Sequence, residues 1–279
     1  SGFGLAVASR LHRAGMAVAL LDRSEAALVA AENTLRRDGG AAAGLLLGVV
    51  CDVSDFEACT RARLAVESHF GPRRVTFLFN NAGVLEPDNA AERHRIIEGP
   101  PSAWAPVFHV NVFGAVHILK AFVPAMVKAG PLPSQKPVFV VTTSSVVGLL
   151  NHVPGPYSVS KMAVTALAEQ LAIELEELGA SAAHITPKTL HPTIAITNLF
   201  TRDGLRDQLI RIGSATADDI VDGLFRGMDT DLHYIVVDHP GDVPTKAQLE
   251  LRFEDQQTGR RPRKPEILGS MLALTDPAE

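Results

Sequence analysis

Stretches with apolar residues three and four positions apart alternate down this chain with short runs of contiguous apolar residues, the pattern of βα units laid into a parallel sheet. The helical spacing predicts helices over residues 3–14, 25–37 and 55–70. Contiguous apolar runs predict strands over residues 17–21, 45–50 and 75–79, the last apolar on both faces as a buried parallel strand should be. Residues 39–44, rich in glycine, read as a connection. A longer helix is predicted over 103–128, with Pro100, Pro101 and Pro106 clustered at its start, where proline is tolerated. The alternation then resumes with a strand over 138–143, a helix over 157–178, a strand over 183–190 and a last strand over 234–237. No short-period repeat and no linker interrupts this order, so the expectation is one α/β domain over residues 1–279, with 240–279 as a loosely packed or helical tail.

Composition narrows the function classes. A net charge of −5 and an apolar share of 46% describe an ordinary soluble protein without the basic field that nucleic acid requires. Contiguous apolar runs such as residues 45–51 are strand-sized, and none approaches the ~18 residues of a membrane span. Cys51 and Cys59 stand eight apart with no second cysteine pair or histidine-rich cluster beside them, which argues against a disulfide framework and a zinc site. His109, His152 and His191 have no metal-ligand spacing and read as loop or core residues. A reducing, cytoplasmic location is the expectation. The chain opens with neither Met nor a leader pattern, and a targeting signal ahead of Ser1 would leave no trace in these residues. The four basic residues between Gly259 and Pro265 have no aromatic neighbours and read as a solvated tail.

The chemistry is concentrated in a few places. Tyr157 and Lys161 share one helix face at a spacing of four, so an ammonium can sit beside a phenol and favour its ionisation. Ser145, at the end of a β-branched run, can hydrogen-bond a substrate oxygen while Tyr157 gives or takes its proton. Ser1-Gly2-Phe3-Gly4 opens directly into a helix, as the back half of a glycine-rich phosphate turn does; a flexible terminus is the bland alternative. Asp22 ends a strand about twenty residues later, where a carboxylate can accept from a ribose and repel a 2′-phosphate. Its rival role is helix capping with Glu25, and Arg23 beside it could instead pair with a phosphate. Asp52 with Val53, and Asn80-Asn81-Ala82-Gly83, close the next two strands and could face a ligand lying over the strands' carboxyl ends. Asn111 interrupts a long helix, where it could stabilise a kink or hold a water near Lys161. Pro192, Thr193, Ile194 and Thr197 follow a later strand, and Thr197 could bind an amide or a phosphate.

In this order these residues resemble the classical short-chain dehydrogenase/reductase family. The Asn-Asn-Ala-Gly turn from Asn80, Asn111, Ser145 and the segment Tyr157-Ser-Val-Ser-Lys161 carry the resemblance, which runs from Ser1 to about residue 200. It implies a doubly wound, Rossmann-like, three-layer αβα fold and an NAD(P)-dependent oxidoreductase. Hydride would move between nicotinamide C4 and a secondary alcohol or ketone carbon. By the same resemblance Tyr157 is the acid/base, Ser145 orients the substrate carbonyl, Lys161 holds the nicotinamide ribose and lowers the tyrosine pKa, and Asn111 completes a proton relay through water. NAD is favoured over NADP, the substrate is a small-molecule alcohol or carbonyl compound, and a homo-oligomer built on the long helices is expected. Two rival readings are a non-catalytic dinucleotide- or protein-binding relative and an NADP-preferring carbonyl reductase.

Three departures accompany the resemblance. The family's first strand and the Thr-Gly that opens its glycine motif have no counterpart here, and that strand is normally central, so the chain is expected to be a fragment of a longer one. The interval from Ser145 to Tyr157 is one residue shorter than the common form. Pro192-Thr193 stands where Pro-Gly is usual, so Thr193 must avoid the positive φ that glycine tolerates. Residues 199–212, with Leu199, Phe200, Leu205, Leu209 and Ile210, read as a mobile apolar lid over a hydrophobic or medium-sized substrate, and an ordinary amphipathic helix explains the same pattern.

Overall fold

The computed structural model describes residues 1–39, 45–71, 74–86, 95–97, 99–150, 153–197, 199, 205–211, 213–239 and 243–263. Helix α1 (Gly2–Arg13) leads into β1 (Val18–Asp22), α2 (Glu25–Gly39), β2 (Leu46–Val50), α3 (Phe56–Phe70) and β3 (Phe77–Asn80). After α4 (Trp104–Phe108) a π-helical turn at His109–Phe113 passes into α5 (Gly114–Ala129). There follow β4 (Val138–Thr143), α6 (Pro156–Glu177), β5 (Ile185–Pro192), the short β6 (Ala195–Ile196), α7 (Leu205–Arg211), the short β7 (Ala215–Thr216), α8 (Ala217–Met228), β8 (Tyr234–Val237) and α9 (Thr245–Thr258).

All strand pairings are parallel, as the alternation of periods requires. β1 pairs with β2, and the longer sheet runs in the order β3-β4-β5-β8. Among the described residues no strand joins the two sheets, and the open edges of β1 and β3 line one cavity. Strands buried on both faces send alternate residues to opposite layers. In β4, Val140 packs with Ile118, Phe122 and Met126 of α5, whereas Val141 packs with Val7 of α1 and Ile220 and Leu224 of α8. The result is a three-layer αβα, Rossmann-like fold with α3, α5 and α6 against one face and α1 and α8 against the other.

Several local expectations change. Pro101–Ala129 is one continuous helical segment, long and apolar enough by length and composition to cross a bilayer, although contiguous apolar runs had argued against any such stretch. Half of its most apolar window is buried against the sheet and α3, so its apolar face is spent on the core. The α2 cap is Ser24, whose hydroxyl accepts from the Ala27 N–H, rather than Asp22 paired with Glu25. Helix α8 was not foreseen, although it carries a capping box in which Thr216 and Asp219 satisfy each other's backbone N–H groups. The basic tail is partly tied down, because Arg263 pairs with the buried Asp255 of α9. Residues 40–44 of the glycine-rich connection, His152 and residues 264–279 of the tail lie outside the described residues.

Leu224 is fully buried between α8 and the sheet, whereas Leu232 in the next turn is 63% exposed. Leu224→Ala should therefore cost ~2–5 kcal/mol of stability in urea unfolding. Leu232→Ala should stay within about 0.5 kcal/mol of the parent.

Candidate active site

A parallel sheet places every strand's carboxyl end on one side, and the predicted residues collect there. A cavity of about 1460 Å³ is lined by Ser1 to Gly4, Asp22 and Arg23 after β1, Asp52 and Val53 after β2, and Asn81 to Gly83 after β3. Ser145 after β4, Tyr157 and Lys161 of α6, and Pro192, Thr193, Ile194 and Thr197 after β5 complete it. Of the residues singled out from sequence for catalysis or cofactor binding, Asn111 alone does not line this cavity.

At one end, the positive pole of α1 faces the cavity through Ser1-Gly2-Phe3-Gly4. Gly2 adopts a φ of 55°, in the left-handed region, and a Cβ there would stand 3.5 Å from the Thr197 side chain. A Cβ on Gly4 would stand 3.3 Å from the Asn81 amide nitrogen, so the turn and the β3 loop approach closely. The Asp22 carboxylate accepts from the Ser24 N–H at 2.9 Å in a short Asx turn. Hydrogen bonds from Ser54 hold the Asp52 carboxyl below its usual range, and Arg23 adds to the effect. Thr193 donates its N–H to Val237 at 2.9 Å, and Gln135 is the one non-glycine residue with positive φ among those described, so the Pro-Thr substitution is accommodated without strain.

At the other end, the Ser145 hydroxyl donates to the Pro192 carbonyl and accepts from the Val147 N–H, each at 3.4 Å, and lies near enough to the Tyr157 phenol to favour its ionisation. Lys161 lies 5.7 Å from the centre of the tyrosine ring and donates to the Thr143 carbonyl at 3.0 Å. Lys161 is only 4% exposed, and burial pulls its pKa down to about 8. Burial also pushes the Tyr157 phenol well above its ordinary value; the Ser145 hydroxyl opposes this and the Glu86 carboxylate adds to it. Desolvation of the phenolate is the largest contribution to this shift, and the Lys161 ammonium beside the ring is itself desolvated.

Asn111 sits in the π-helical turn, a kink of the kind its helix-disfavouring side chain suggested. Its amide is fully engaged: Oδ1 accepts from the Val84 N–H at 2.8 Å, while Nδ2 donates to the Val84 carbonyl at 3.0 Å and to Ser160 Oγ at 2.9 Å. Ser160 in turn donates to the Tyr157 carbonyl at 2.6 Å. The side chain thus braces α6 against the β3 loop.

Sequence reasoning missed Glu86, whose carboxylate accepts from the Tyr157 N–H at 3.0 Å, and Ser144, whose hydroxyl donates to the Lys161 carbonyl at 2.8 Å. Neither has a sequence signal, since a contact between residues 71 apart is decided by packing. His191 is buried as expected of a core residue, with a pKa pulled down by burial to about 4. It is therefore neutral near pH 7, and its Nδ1–H donates to the Ser145 carbonyl at 3.0 Å. Among the described residues no cluster of His, Cys, Asp and Glu could hold a metal ion.

Residues 1–202 match the family model described as short chain dehydrogenase. The chain belongs to the short-chain dehydrogenase family. Within the family it is 30% identical over 187 residues to retinol dehydrogenase 16 of Mus musculus, an alignment covering 67% of this chain and 53% of that one. It is 34% identical over 177 residues to dehydrogenase/reductase SDR family member 4 of Sus scrofa, covering 62% and 57% of the two chains. The chain thus aligns with somewhat more than half the length of these curated relatives. Among solved structures, a short-chain dehydrogenase/reductase from Burkholderia phymatum in complex with NAD superposes with a TM-score of 0.77 at 30% identity, over 96% of this chain and 94% of that one.

The depressed pKa of Lys161 has a consequence for stability. The folded value of about 8 lies below the ordinary 10.5, so between these pH values the unfolded chain binds more protons than the folded one. Stability contributed by this group therefore rises with pH across that window. Denaturation midpoints should increase more between about pH 8 and 10 for the parent than for Lys161→Met. An identical response of the two proteins would show that Lys161 does not titrate in this way.

Proposed function

We propose that this chain is an NAD-dependent oxidoreductase that interconverts a secondary alcohol and a ketone. The observation that carries the reading is one cavity with the α1 turn and Asp22 at one end and Ser145, Tyr157 and Lys161 at the other. These residues suit a dinucleotide. The positive end of α1, where Gly2 has the φ of a left-handed residue and a Cβ on Gly4 would crowd the Asn81 amide at 3.3 Å, suits a pyrophosphate. Asp22 suits an adenosine ribose, Asp52 and Val53 the adenine, and Lys161 the nicotinamide ribose. When bound, the nicotinamide supplies or accepts the hydride.

The chain's own residues do the rest. Ser145 aims its hydroxyl at the substrate oxygen, and Tyr157 exchanges a proton with that oxygen as the carbon gains or loses hydride. Ser145 is held from behind by His191, and Tyr157 by Ser160 and Asn111. The substrate end carries Leu85, Val147, Val153 and Leu199, which favours an apolar alcohol or ketone. Leu199 lines the cavity, while Leu209 of α7 is buried and Ile210 exposed, as in an ordinary amphipathic helix; Phe200, the Leu205 side chain and Ile212 lie outside the described residues. Arg23, also on the cavity wall, supports NADP as the second reading. Exposed Phe113, Ile173 and Leu178 on the long helices support a homo-oligomer, and the thiols of Cys51 and Cys59, 3.9 Å apart, support a reducing, cytoplasmic location.

Tyr157→Phe should lower kcat in an alcohol and ketone screen by ~10²–10⁴-fold while NADH binding, followed by fluorescence titration, persists. Equal turnover by parent and variant would leave the non-catalytic reading standing. Asp22→Ala should weaken NADH binding about tenfold and spare or improve NADPH binding. A parent that already prefers NADPH would move the assignment to the second reading.

A further inference from the structure

Helix α6 begins without a cap of its own. Gly155 offers no side chain, and Pro156, the first helical residue, has no N–H. The Tyr157 N–H is therefore the first donor the helix presents, and it is taken by Glu86, a carboxylate 71 residues earlier in the chain, at 3.0 Å. Glu86 is 3% exposed and lines the same cavity as Ser145 and Tyr157. An anion at the positive end of a 22-residue helix is favourably placed, which helps to offset the cost of burying it.

We propose that Glu86 is a positioning residue for the acid/base tyrosine, capping α6 from across the cleft so that the phenol meets Ser145, and that its charge raises the pH at which the phenol exchanges its proton. This rests on the oxidoreductase reading and deepens it. The groups that face the phenol can be named by element. Ser145 faces it from the end of β4 and Lys161 from α6 itself. His191 of β5 lies behind Ser145 and is neutral near pH 7. Arg95 lines the same cavity from the segment before α4. Glu86 is the anion of this group, and a negative charge beside a phenol opposes its ionisation.

Two substitutions separate the cap from the charge. Glu86→Gln keeps an oxygen that can accept the Tyr157 N–H and removes the charge, whereas Glu86→Ala removes both. With NAD and an alcohol substrate, the ascending limb of kcat/KM against pH should move down by at least ~0.5 unit in Glu86→Gln, with NADH affinity unchanged. Glu86→Ala should lose kcat by ~10-fold or more through misplacement of the phenol. The chain has two tyrosines, so a Tyr234→Phe background makes tyrosinate absorbance a report on Tyr157 alone, and adding Glu86→Gln should lower the pH at which that signal appears.

A pH limb and a tyrosinate signal that do not move in Glu86→Gln would overturn the role of the charge, and full kcat in Glu86→Ala would overturn the cap. Should Glu86→Ala fail to unfold cooperatively, the Glu86→Gln measurements decide. Tyr157→Phe keeps the two levels apart. Loss of turnover there with an unmoved Glu86→Gln profile sinks only the Glu86 proposal, whereas normal turnover in Tyr157→Phe sinks the oxidoreductase reading beneath it.

Discussion

A single hydrogen bond, from the Lys161 amine to the Thr143 carbonyl at 3.0 Å, holds the chemistry of this protein in place. An ammonium at this depth must find a partner, and the partner it finds is the last residue of β4. Ser144, the next residue, answers in the opposite direction by donating its hydroxyl to the Lys161 carbonyl at 2.8 Å. Strand end and helix are thereby clasped from both sides. Ser145 and Tyr157, one residue beyond the clasp on the strand side and one helical turn before it on the helix side, are brought together. Gly148 permits the approach, because a Cβ there would stand 2.2 Å from Ser144 Oγ and 2.7 Å from the Lys161 carbonyl.

The same burial governs the electrostatics. Removing water strengthens each hydrogen bond in the site but suppresses charge on both members of the tyrosine–lysine pair, pulling Lys161 down and pushing Tyr157 up. Ionisation of the phenol is then set by a few close neighbours. Ser145 favours the phenolate and Glu86 opposes it, while His191 contributes orientation without charge. Asn111 and Ser160 add stiffness through a chain of hydrogen bonds from the β3 loop to the Tyr157 carbonyl.

At the scale of the fold, the parallel sheet does the gathering. Five strand ends separated by up to 170 residues in sequence discharge their loops on one side, from Asp22 after β1 to Pro192 at the end of β5. The two-sided burial of β4, shared between the α5 layer and the α1 and α8 layer, keeps that edge of the cavity rigid. Between β1 and β3 the sheet is interrupted among the described residues, and the open backbone edges of both strands face into the cavity.

Much of this was legible beforehand. The strands Val138–Thr143 and Tyr234–Val237 fall where their apolar runs place them, and Asp52, Asn81, Ser145, Tyr157 and Lys161 reach one cavity because strand ends and helix starts are local features. The long helix expected over residues 103–128 is present as the segment Pro101–Ala129, whereas α8 escaped because its polar first turn, Ala217-Asp218-Asp219, conceals the apolar stripe that follows. The sequence by itself determined which residue types stand at which strand ends and helix faces, since both periodicities are properties of the local backbone. Only the tertiary structure decided that Glu86 would meet the first N–H of α6, that Asn111 would brace α6 against the β3 loop, and that both Tyr157 and Lys161 would be buried. Desolvation and long-range hydrogen bonding depend on what packs around a group, and that is settled only when distant segments meet.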